Sequence, residues 1–226
     1  MQLLVWPAHA RVPASQVAFD QPRGADLFAG ASLFHDTGGP FPASAASVPQ
    51  WTATLNKAAR IDPNGGAYWM VASIRNDTPE TRWATHLTNT VIDRADILML
   101  GADGSVQRAT TGYRARHDYL LHYGSDFTLA PRGEYVVVMR FSSHYFVRTP
   151  IMSLLPQARF HTLVARETLL IMGSVGALAA LAIVNLFIFS FTRNRANLYY
   201  ALYLLAYGLA WAMPFNVLAD LFDWHE

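Results

Sequence analysis

The side chains in this sequence with most to offer a ligand are its large aromatics and its arginines. Trp51, Trp69, Trp83 and Tyr113 each join an apolar ring to a polar edge, the combination that stacks on a sugar ring. Arg75 and Arg94 carry planar guanidinium forks that match a carboxylate. The same residues also have plainer readings, the aromatics as sheet packing and the arginines as solvated charges. What favours a site is placement: in AYWMVASIRN, the face carrying Trp69 and Arg75 is too polar for a core and too aromatic for idle surface. The residues nominated for ligand binding are therefore Trp69, Arg75, Trp83, Arg94 and Tyr113, with a small molecule or carbohydrate docked on an exposed sheet face.

Other chemistries find no support. The chain has no cysteine, which excludes disulfides, thiolate catalysis and cysteine-ligated metals. His117 and His122 are close in sequence, but on a strand that spacing puts them on opposite faces. Asp93, Asp96 and Asp103 are better explained as strand and turn positions than as a calcium or acid–base set. No G-x-S-x-G nucleophile elbow occurs. No catalytic residue, metal or cofactor is expected, and this chain is not expected to be an enzyme. A formal net charge of +1 gives no reason to expect nucleic acid.

The elements that must position these side chains are strands. Tyr68, Met70, Ala72 and Ile74 alternate with Trp69, Val71, Ser73 and Arg75, giving one apolar and one mixed face. Asn76-Asp77-Thr78-Pro79 marks a turn. Further strands are expected at 83–90, 96–100 and 106–110, the last two joined by a hairpin at Asp103-Gly104. Two more follow at 119–129 and 134–141. Tyr135 to Met139, apolar on both faces, suits the centre of a sheet. A last strand is expected over 145–155, where Pro150 argues for an edge position. Residues 11–66, rich in Pro, Gly, Ala and Ser, read as extended chain and edge strands with Trp51 as an anchor and a turn near 43–47. Short strands at this spacing describe a mainly β fold, a jelly roll or β-sandwich, over 11–160.

The rest reads as membrane. Thr168 to Phe191 runs without a charged side chain and is long enough to cross a ~30 Å hydrocarbon layer. A second helix is expected over 198–218, with Gly208 and Pro214 tolerated in lipid. Arg193 and Arg195 between the two spans are the only basic residues after Thr168, while Asp220, Asp223 and Glu226 follow the second. The positive-inside rule makes the basic loop cytoplasmic and places the β-domain on the far side. Ala8-His9-Ala10 fits a signal-peptide cleavage site, so 1–10 reads as the remnant of an export signal. The acidic flank after the second span reads as an unfinished end.

Ala67-Tyr68-Trp69, Arg75-Asn76-Asp77, Asp93-Arg94-Ala95-Asp96-Ile97 and Asp103-Gly104 with Thr111-Gly112 occur in order. Asn185-Leu186-Phe187, Arg193-Asn194-Arg195 and Asn197-Leu198-Tyr199-Tyr200 follow. Together they resemble the bacterial seven-transmembrane receptors with diverse intracellular signalling modules, over about residues 15 to 222. The resemblance implies a periplasmic jelly roll similar to carbohydrate-binding modules, seven helices, and a kinase or diguanylate cyclase output, of which this sequence carries only the sensor and two helices. The expected protein is the input part of a receptor in a bacterial inner membrane. Its expected partners are a periplasmic small molecule or carbohydrate and the bilayer, and a homodimer fits the reading. The rival is an anchored carbohydrate-binding or adhesion module with no signalling role.

Overall fold

Alternation in the Tyr68–Arg75 stretch is realised as an 11-residue strand, β4, and the rest of a sheet assembles on it. The computed structural model describes residues 17–19, 25–88, 91–116, 118–213 and 217. The export-signal remnant, His117, Pro214 and the acidic flank lie outside them. Ten strands are described: β1 (Val17–Phe19), β2 (Ala25–Asp26), β3 (Ser32–His35), β4 (Gly66–Asn76), β5 (Arg82–Thr88), β6 (Arg94–Gly101), β7 (Val106–Thr111), β8 (Tyr123–Thr128), β9 (Glu134–Ser143) and β10 (Ile151–Pro156). They form two sheets, one ordered β1-β4-β9-β6-β7 with β3 also on β4, the other β2-β10-β5-β8. Apart from the parallel β1–β4 pair, every named pairing is antiparallel. The fold is a β-sandwich, as the strand spacing implied.

The apolar face of β4 (Tyr68, Met70, Ala72 and Ile74) joins Val137, Met139 and Phe141 of β9 in the main core. Trp83, Leu87, Phe127, Met152 and Leu154 reach the same core from the second sheet. β9 sits between β4 and β6, where its two apolar faces require it. The opposite face of β4 is also covered. A short 3-10 turn at Ala45–Ser47 leads into helix α1 (Val48–Thr52). Val48 packs there with Phe34, Trp69, Val71, Leu98 and Val138 in a second cluster, with Trp51 and Phe41 half-buried against it. The Pro- and Ala-rich stretch before β4 is thus a roof over the outer sheet face, and that face is not open at Trp69.

Turn chemistry fixes the strand ends. Asn76 is fully buried; its amide donates to the carbonyls of Glu80, Leu129 and Ala130, and its Oδ1 accepts from the Thr78 amide and hydroxyl. At the β6–β7 hairpin Gly104 adopts a positive φ of 87°, and a Cβ on Gly101 would lie 2.2 Å from Asp103 Oδ1. Two strand expectations are corrected. The segment expected over 119–129 is a strand only from Tyr123, because 118–122 turns into a separate small hairpin bridged Tyr119 to His122. The last strand begins at Ile151, so Pro150 precedes it, and β10 lies between β2 and β5, not at an edge.

The chain divides into two compact units, 1–117 with 123–157, and 118–122 with 158–226. In the second, α2 (Gln157–Thr192) and α3 (Arg195–Ala212) are joined at Arg193, φ 54°. Asn194 caps α3 by accepting from the Ala196 amide at 3.0 Å. Among the described residues α2 is the one helix long and apolar enough to cross a membrane. The hairpin 118–122 packs within this unit. Its Leu121, at φ 61°, is buried with Ile171, Met172 and Val175 of α2 and with Ala212 and Val217.

Candidate functional site

The five nominated residues are not brought together. Arg75 pairs with Glu134 and Arg94 with Ser142, at opposite ends of β9, about 26 Å apart at 3.3 Å per residue. Each arginine already holds a carboxylate. Arg75 Nε and Nη2 donate to the two oxygens of Asp77 at 2.8 and 2.9 Å, and Arg94 Nε donates to Asp96 Oδ2 at 3.0 Å. Both guanidinium pKa values are raised, in each case by the hydrogen bond to and the charge of that aspartate. Trp83 is fully buried on the inner face of the second sheet, its Nε1 donating to the Glu80 carbonyl at 3.0 Å. Tyr113 is half-buried after β7, its amide donating to the Ile92 carbonyl. Trp69 is fully buried under the roof.

Around Trp69, however, a polar cluster is built. Its Nε1 donates to Asp36 Oδ1 at 2.9 Å, and Arg140 Nε donates to Asp36 Oδ2 at 2.7 Å. The Arg140 guanidinium lies 5.5 Å over the Trp69 ring. Phe41 and Trp51 meet Trp69 edge-on at 4.8 and 4.9 Å, and Trp51 Nε1 donates to the Pro40 carbonyl. The register extends this cluster across the sheet. Trp69 pairs with Phe34 and Arg140, Arg140 with Asp96, and Asp96 with Thr110. Paired residues share a face, so Phe34, Trp69, Arg140, Asp96 and Thr110 form one row on the outer side. Asp96 accepts from Arg94 and from the Thr110 hydroxyl at 2.8 Å. The Asp36 side chain is 3% exposed and that of Arg140 40%, so an anchored cation emerges from beneath the roof's edge.

Asp36 and Arg140 were missed. Arg140 leaves one trace in the sequence, a lone charge within the apolar run YVVVMRF. Asp36 leaves none, since 104 positions separate it from its partner. Among the described residues no three metal-ligating side chains come together.

In the helical unit, the hairpin 118–122 is clasped to the start of α2. Tyr119 Oη lies 3.0 Å from His161 Nε2 and its ring 4.7 Å from that of Phe160. The Thr168 hydroxyl reaches the Leu120 carbonyl at 3.5 Å, and His122 Nδ1 lies 3.7 Å from Glu167 Oε2. Leu121 fills the space beside Ile171 and Ala212. His122 is followed directly by β8, so this clasp is continuous in sequence with the sandwich.

Comparison with known proteins bears on this arrangement in three ways. A search of curated proteins finds no match. A solved structure of a β-sandwich carbohydrate-binding module is 13% identical over 40% of this chain and 41% of its own length, with a TM-score of 0.24. At that score the fold assignment rests on the strand order instead. Two family models match: "7TMR-DISM extracellular 2" over residues 29–153, more than half of the chain, and "7TM diverse intracellular signalling" over 167–225. The first covers the roof, the polar row and strands β3 to β9 with the start of β10; the second covers most of α2 and all of α3. The chain belongs to the 7TMR-DISM family and carries the sensor region of a signalling receptor joined to its membrane part.

Proposed function

We propose that the sandwich is the periplasmic input domain of an inner-membrane receptor and that it binds a small molecule at the exposed edge of the Trp69–Arg140–Asp96 row. The observation that carries this reading is the buried Asp36 carboxylate, which holds Arg140 in a fixed pose while leaving it partly open to solvent. A solvated surface arginine has no need of such support. The nominated Trp69 enters this site as its floor, and Arg94 enters through Asp96. The half-buried ring of Trp51 lies beside it. A saccharide is one ligand class that the mix of aromatic edges, guanidinium donors and carboxylate acceptors suits.

The relay runs through the hairpin 118–122. A change in β8 is passed by chain continuity to Leu121, which packs with Ile171, Met172 and Val175 in the middle of α2 and with Ala212 at the end of α3. Two helix packings of similar energy convert it into a signal. The second membrane crossing is assigned to the region of α3.

Hydrogen exchange on the full chain in lipid nanodiscs, with a panel of small organic acids and oligosaccharides, tests the site. A binding compound is expected to protect the roof, 36–57, and the outer rows of β6 and β9. Protection confined to other surfaces would refute the assignment.

A further inference from the structure

The outer face has a charge and donor arrangement that narrows its ligand. Among the described residues, Arg140 hydrogen-bonds only through Nε, and its two Nη groups have no partner. Those groups form the end-on fork of the guanidinium, the geometry that receives two coplanar oxygens. Trp69 below and Asp36 beside it fix the plane of the fork, so little side-chain entropy remains to be lost on binding.

Arg108 supplies a second cation. It pairs with Leu98 in the β6–β7 ladder, one row along from the Asp96–Thr110 pair and on the same face. It is exposed and has no hydrogen-bond or ion-pair partner among the described residues. Asp96 is occupied by Arg94 and Thr110, and Asp36 by Arg140 and Trp69. Arg94, Arg108 and Arg140 therefore face two carboxylates, Asp36 and Asp96, which leaves one surplus positive charge. Lys57, bridged to Phe34 at the other end of the row, adds a further cation.

We propose that this face binds a carboxylate-bearing small molecule, with the Arg140 fork on the carboxylate and Arg108 as a second cation beside it. The inference rests on the reading that a ligand docks on this face, and it names the ligand's chemistry. The surplus positive charge favours an anion over an uncharged ligand, and the planar end-on fork fits a carboxylate through two parallel hydrogen bonds. The carboxylate comes from one of two sources, a uronic sugar or a simple organic acid. The half-buried Trp51 ring favours a body with an apolar face in either case.

The test uses the full chain in nanodiscs and isothermal titration at fixed ionic strength. The probes are D-galacturonate, succinate, uncharged D-galactose and inorganic phosphate. Saturable binding of galacturonate or succinate is expected, and which of the two binds identifies the source. Arg140→Lys, which keeps the charge and loses the fork, should weaken that binding about tenfold, the equivalent of one charge-assisted hydrogen bond. Arg108→Ala, at an exposed site that supports nothing else, should weaken it about three- to tenfold by the same reckoning. Arg148→Ala, on the exposed loop before β10, should leave it unchanged.

Carboxylate binding that both arginine variants retain would overturn the proposal, as would its absence in the parent chain. Galactose or phosphate bound in place of the carboxylates, with Arg140 still required, would overturn the ligand class but keep the site. A carboxylate whose exchange protection falls away from this face would overturn both.

Discussion

Asp36 illustrates how one side chain can hold a site together. Its two oxygens serve two donors on different groups, the Trp69 indole and the Arg140 guanidinium, in a setting almost closed to solvent. Asp36→Asn keeps the shape but turns an amide N–H₂ toward one of those donors. The expected cost is about 1–3 kcal/mol, the price of one mispaired buried polar group, read as a shift in the urea midpoint at unchanged m-value. A different side chain tests the turn chemistry. Asp103 is held below the ordinary aspartate pKa by the hydroxyl and backbone N–H of Ser105. A depressed pKa means that its stabilising contribution is present above the unfolded-state value and is lost as pH falls through the lower folded one. In a carboxyl NMR titration, Ser105→Ala should move the Asp103 midpoint upward, toward the ordinary value. Residues of this second kind were legible, since Asp103-Gly104 acts on neighbours a few positions away, as Asn76 does in its bonds to Thr78 and Glu80. The Asp36–Arg140 pair was not, because nothing local records which strands lie side by side or in what register.

Elements show the same division. β4 and β9 could be read from the sequence because period-2 alternation and a doubly apolar run are signals internal to a strand. The roof could not, since its Pro, Gly, Ala and Ser composition is that of any irregular chain, and only the buried Val48 and half-buried Trp51 reveal that it covers a sheet. That is why the mixed face of β4, read as exposed, proves to be covered at Trp69 and Val71 and only partly open at Ser73 and Arg75, while Arg140 emerges from the neighbouring β9. The hairpin 118–122 escaped for another reason: Tyr119 to Leu129 has strand-like composition throughout, and the break at Leu121 depends on a left-handed backbone imposed by its burial beside the helices. This makes a sharp prediction. Leu121→Ala loses the buried side chain and keeps the unfavourable φ, whereas Leu121→Gly loses the side chain and relieves the backbone. Glycine should therefore be the less damaging of the two by about 1 kcal/mol, the reverse of their usual order, in the exchange protection of amides 118–122.

For the whole molecule, the division of labour is written in the distribution of charge and apolar surface. A sandwich with two apolar clusters is followed by a 36-residue helix, whose apolar part carries large exposed side chains such as Leu169, Phe187 and Phe191. Such surface marks a membrane or protein contact. Arg193 in the turn after α2 and Arg195 at the start of α3 are the charges that the positive-inside rule assigns to the cytoplasm. A reporter active only in the cytoplasm, fused after Arg195, should give signal; activity of a periplasm-specific reporter there would reverse the orientation. Membership in the family makes the sandwich the sensor region of a signalling receptor.

The central claim is that occupancy of the outer sheet face reaches the helix pair through Leu121. Spin labels at Leu170 and Met213, both exposed, report the spacing of α2 and the end of α3 without touching the buried contact. In nanodiscs, a compound that protects the outer face should shift the 170–213 distance distribution in the parent chain. The Leu121→Gly chain should bind the compound equally well and show no shift. A bound compound that leaves the distance unchanged in the parent chain would contradict the account and reduce the sandwich to a tethered binding module.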